Sequence, residues 1–137
     1  MASLLTLLVS SYLYIDYSEK VVSNVIVNRK FRNQIADKIE PSNELVNGTK
    51  GTNLTIKEYQ QITKMCKFPR LPVEASNIQY KYGYDGFLPD YFFTVTYDLP
   101  KEFDVDTINY QKGNFSKYQS YEMVENKKRV TYSEYEQ

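Results

Sequence analysis

Chemistry in this 137-residue chain has to be carried by carboxylates, tyrosines and lysines, because it contains no histidine and a single cysteine, Cys66. The commonest general base and metal ligand are thereby absent. So are every Ser-His or Cys-His pair, any disulfide within the chain and any cysteine zinc site. The carboxylates Asp85, Asp90, Asp98, Asp104 and Asp106 gather in or near turns. A glycosidase needs two carboxylates about 5–10 Å apart across a sugar cleft, and a calcium loop needs several oxygens and a glycine within one short segment. Asp104-Val105-Asp106 lacks that glycine and the further ligands. Solvated loop carboxylates are the reading that follows, and the sequence calls for no metal, no cofactor and no catalytic residue. Cys66 falls on the apolar face of a predicted helix, where a lone cysteine serves as a small buried hydrophobe.

Tyrosine is abundant, with 14 copies. Ile78, Tyr80, Tyr82 and Tyr84 alternate with polar residues, as do Tyr91, Phe93, Val95 and Tyr97. A phenol ring offers apolar area and a polar tip, so alternate tyrosines could form a platform for a peptide, sugar or base. They suit the half-buried face of a sheet equally well. The break between the two runs, "GYDGFLPD", is the part that a sheet does not explain. Tyr84, Asp85, Phe87 and Tyr91 are therefore the candidate binding surface, with Gly83 and Gly86 allowing the turn and Pro89 stiffening its return.

The bulk numbers narrow the function further. Seventeen basic and 17 acidic residues cancel, so no global field draws the chain to nucleic acid. A hydrophobic content of 42% with 15% aromatics is that of a folding chain. Three Asn-x-Ser/Thr sequons, at Asn47, Asn53 and Asn114, hint weakly at a lumenal protein.

Several elements must position these residues. Residues 1–40 contain neither glycine nor proline, and "MASLLTLLVSSYLYI" stays apolar or small up to the first charge, Asp16. That run is shorter than a full span of about 20 residues and matches the core of a signal-like segment. The pattern predicts an N-terminal helix over 1–40 that anchors the chain in a membrane or packs its leucines on the domain. Residues 41–54 read as a polar Gly/Asn/Thr loop opening a second unit, 41–137. Thr55 and Glu58 have the spacing of a capping box, starting a short helix that Pro69 stops. The two tyrosine runs predict a hairpin, "FDVDTINY" a weak strand, and "YQSYEMV" and "RVTYSEY" two strands about a polar turn. The expected fold is α+β: the N-terminal helix, one short helix, then an antiparallel meander of three to five strands.

Leu71-Pro72, Ala75-Ser76-Asn77-Ile78, Asp90 and Asp98-Leu99-Pro100 together resemble a pattern in small uncharacterised bacterial envelope proteins, in which an N-terminal anchor precedes a small α+β domain. This chain has no lipobox cysteine near its N-terminus, so the resemblance implies a transmembrane rather than a lipid anchor, and it implies no activity. The resulting expectation is a non-catalytic binding or structural protein on the outer side of a bacterial membrane. Its partners would be another protein and, through the N-terminal segment, the membrane, with no nucleic acid. A cytoplasmic inhibitor module of the immunity or phage-encoded kind is the alternative. A hydrolase working with carboxylates alone ranks third.

Overall fold

The computed structural model describes residues 37–41, 47–66, 68–84 and 91–136. Along the chain these form β1 (Ile39–Pro41), β2 (Asn47–Leu54), α1 (Ile56–Cys66), β3 (Ser76–Tyr84), β4 (Tyr91–Pro100), β5 (Ile108–Lys112), β6 (Phe115–Val124) and β7 (Lys127–Glu136). All seven strands join one antiparallel sheet in the spatial order β1-β2-β3-β4-β7-β6-β5.

Strand register divides the side chains between two faces, since successive residues point to opposite sides. Tyr80, Tyr82, Phe93, Val95, Tyr97, Leu99, Val130 and Tyr132 share one face. Five of them, Tyr80, Phe93, Val95, Leu99 and Val130, are at most 4% exposed, so this face is the core. Helix α1 covers it with Tyr59 and Ile62, both fully buried at a helical spacing of three. Phe68, just past the helix, sets its ring 5.1 Å from Tyr80 and 4.7 Å from Phe93. The capping box is formed: the Thr55 amide donates to Glu58 Oε2 at 2.7 Å and the Glu58 amide to Thr55 Oγ1 at 3.3 Å. The Tyr59 hydroxyl donates to the Pro69 carbonyl at 2.8 Å and ties the helix to its exit.

The long connection from β4 to β5 covers a further part of this face. It passes above β7 and β6, where Lys128 Nζ donates to the Phe103 carbonyl at 2.6 Å and Gln119 Nε2 to the Asp106 carbonyl at 2.8 Å. Phe103 and Val105 point from it into the core. On the opposite face no described element lies over the sheet, and its side chains there are mostly hydroxyls, amides and lysines.

Three sequence expectations are corrected here. The fold is mainly β, a seven-stranded sheet with one short helix, rather than an α+β arrangement of two helices and a short meander. The expected loop over 41–54 contains a strand: Asn47–Leu54 pairs with β3, and the register shift between Gly51 and Leu54 places Asn53 at φ 52°. Gly51 lies beneath the Tyr80 ring, where a Cβ would meet Tyr80 Cε1 at 2.5 Å, so a glycine stands inside a strand whose other residues are also typical of loops.

The third correction concerns the membrane. The expected N-terminal helix lies outside the described residues up to 36, and its last part is a turn followed by strand β1, with Ile39 buried against β2. Among the described residues no helix is long and apolar enough to cross a membrane. Helix α1 has 11 residues, about 17 Å at 1.5 Å per residue, where about 30 Å is needed.

Candidate functional site

The four residues singled out from the sequence meet different fates. Tyr84 closes β3, its backbone paired with Tyr91, while Asp85 and Phe87 lie outside the described residues. Tyr91 is half-buried and engaged within the fold. Its ring stands edge-on to Tyr82, centroids 5.8 Å apart, and its hydroxyl donates to Glu134 Oε2 at 2.9 Å. The other Glu134 oxygen accepts from the Tyr132 hydroxyl and lies 3.6 Å from Lys117 Nζ.

Burial first, and then the hydrogen bond to the Glu134 carboxylate, push the Tyr91 and Tyr132 phenols well above their ordinary value. Burial does the same to Tyr59, helped by its tyrosine neighbours and Glu134, and it also raises the Tyr97 phenol. The phenols stay protonated and act as donors and packing. Asp98 is likewise committed. Burial alone would raise its carboxyl, but hydrogen bonds from Arg129 Nε at 2.9 Å and Asn77 Nδ2 at 3.2 Å outweigh that and hold it below the usual range. Asp104 and Asp106 lie exposed in the β4–β5 crossover, and Asp85 and Asp90 are outside the described residues. Among the described residues no group of three acidic or cysteine side chains could hold a metal ion.

Shallow depressions of about 350, 330 and 440 Å3 mark the surface. The second lies on the uncovered face between Gln111, Asn114, Ser116, Tyr118 and Tyr135, where the two tyrosine rings are 6.4 Å apart and tilted by 57°. That tilt leaves no flat stacking platform.

The feature that packing does not explain is an incomplete edge. Strand β6 has ten residues, but β5 pairs only with Phe115–Gln119. Both hairpins of this region have two-residue turns: Gly113-Asn114, with Gly113 at φ 59°, and Glu125-Asn126. In such a hairpin the residues flanking the turn bond to each other, and alternate pairs outward repeat the bonding. Phe115, Lys117 and Gln119 therefore bond to β5, while Ser116, Tyr118, Ser120, Glu122 and Val124 bond to β7. The N–H and C=O groups of Tyr121 and Met123 point outward, beyond Ile108, the first residue of β5. Among the described residues no backbone hydrogen bond meets them.

Their side chains are open as well. Tyr121 is 44% exposed and Met123 54%, both on the face shared with the core. Lys128 Nζ sits 5.1 Å from the Tyr121 ring centroid, a cation–π contact that holds the ring in place. The opposite sheet edge is built differently: β1 has three residues and ends on Pro41, two devices that block strand addition. The sequence contains half of this signal. "YQSYEMV" shows Tyr121 and Met123 sharing one face, but nothing in it says that β5 stops at Ile108. Comparison with protein families, curated proteins and solved structures finds no match.

Proposed function

We propose that this protein is a non-catalytic binding domain that captures an extended segment of a partner protein by adding it as a strand beside Tyr121 and Met123 of β6. The observation that carries the reading is the coincidence, at these two positions, of outward backbone groups that no described residue pairs and exposed apolar side chains. Strand addition draws affinity from main-chain hydrogen bonds and specificity from alternate side chains, and this edge supplies both. A bound segment would continue the line of β5 and complete the last row of the sheet. The commitment of Tyr59, Tyr91, Tyr132 and Asp98 to internal contacts supports binding over catalysis. An inhibitor that covers an enzyme would use the same edge and differ only in its partner.

Selection from a displayed library of extended peptides tests the reading. Bound peptides should be lost on Met123→Pro, which removes one outward N–H while leaving the β6–β7 ladder intact. They should be retained on Asn109→Pro, the same change on the outer edge of β5. Peptides that bind the wild type and Met123→Pro equally well would refute strand addition.

A further inference from the structure

The open edge of β6 also carries a charge pattern. Glu122 lies between Tyr121 and Met123 and points to the uncovered face, Glu125 sits in the adjoining turn, and Asp104 and Asp106 lie in the crossover that borders the same edge. All four are exposed, and among the described residues none of them is in an ion pair. The nearby cations are shared with other groups. Arg129, across the ladder from Glu122, is paired with Asp98 at 2.9 Å and feels Glu122 and Glu125 only as weaker, secondary charges, Lys128 bonds the Phe103 carbonyl at 2.6 Å, and the charge of Lys127 acts on Asp98. The edge thus presents Tyr121 and Met123 toward the core face, with Lys128 against the Tyr121 ring, and exposed carboxylates around them.

We infer that the segment captured by β6 is cationic, with apolar residues alternating with lysine or arginine. The inference rests on the strand-addition reading and adds the partner's chemistry to it. A strand beside β6 places alternate residues opposite Tyr121 and Met123, on the face where Phe103 and Val105 already cover the sheet, so those residues are apolar. The residue between them faces Glu122 on the wet side and is basic. Basic residues at its ends meet Asp104 and Asp106 at one end and Glu125 at the other. Opposite charges directly across strands favour the pairing, and like charges oppose it. An acidic segment would be repelled at each of these points, which gives discrimination as well as affinity.

The test uses the intact protein and three short synthetic peptides that alternate valine with lysine, glutamine or glutamate, with binding measured by fluorescence anisotropy. Exposed pairs are individually weak. Acting together they should make the lysine peptide about tenfold tighter than the glutamate peptide in dilute buffer. That difference should shrink in high salt, where charges are screened within about 3 Å. Glu122→Lys should shift the preference toward the glutamate peptide, and Met123→Pro should weaken all three. Equal binding of the three peptides, still abolished by Met123→Pro, would overturn the cationic partner and leave strand addition standing. Binding indifferent to Met123→Pro, or no binding, would overturn both. Dimers that dissociate in Met123→Pro and that exclude the lysine peptide would assign the edge to a second copy of the chain, and would also overturn the inference.

Discussion

The Tyr91 hydroxyl donates to Glu134 Oε2 over 2.9 Å, fastening the first residue of β4 to the far part of β7. Tyr82 packs edge-on against the same ring. Tyr91 therefore works in the fold. Tyr91→Phe, which deletes only the hydroxyl, should lower stability by about 1 kcal/mol. Tyr91→Ala also removes the ring and should cost about 3 kcal/mol. Urea denaturation of both variants decides the point, and an Ala variant as stable as the wild type would return Tyr91 to the surface.

Alkaline pH should unfold the protein through the buried phenols. The phenols of Tyr59, Tyr91, Tyr97 and Tyr132 are raised in the fold, by burial first and, for Tyr91 and Tyr132, by Glu134 next. In the unfolded chain they ionise near pH 10. Their stabilisation is present in full below that pH and is lost as pH climbs toward the folded-state values. Tyrosinate absorbance followed together with circular dichroism should show these four phenols ionising only as the sheet unfolds.

The sign is opposite for Asp98, whose carboxyl lies below the usual range because Arg129 and Asn77 hydrogen-bond it against the cost of its burial. This contribution is present above about pH 4, where the unfolded carboxyl is ionised, and it is lost as pH falls through the lower folded value. Asp98→Asn should flatten the acid limb of the stability profile. At neutral pH it should cost on the order of 1 kcal/mol, a small figure because the Arg129 side chain is 36% exposed.

The β6–β7 turn holds Glu125 at φ 57°, a left-handed conformation that a side chain disfavours by about 1 kcal/mol. The β5–β6 turn places Gly113 at a similar φ of 59° without that cost. Glu125→Gly should therefore raise the melting temperature, and a lower one would show that the Glu125 side chain makes a compensating contact.

Local patterns carried far in the sequence, and non-local pairing did not. The Thr55/Glu58 box and the tyrosine alternations lie within short windows, and each corresponds to an element: α1, β3 and β4. "RVTYSEY" reads as a strand, but nothing in it says that β7 inserts beside β4 and so makes a single seven-stranded sheet. Strand β2 was hidden by its composition, since "NGTKGTNL" has the residues of a loop and is a strand through its pairing with β3, with Gly51 close under Tyr80. The break at 85–90, which the alternation made conspicuous, lies outside the described residues, and the open edge at Tyr121 and Met123 follows from where a different strand ends.

Amide hydrogen exchange along β6 tests that edge most directly. Glu122 and Val124 donate into the β7 ladder, whereas Tyr121 and Met123 face outward beyond β5. In the free protein we expect fast exchange at Tyr121 and Met123 between slow neighbours, with both fast amides becoming protected when a peptide binds. Amides at Tyr121 and Met123 that are as slow in the free protein as those of Glu122 and Val124 would contradict an open edge.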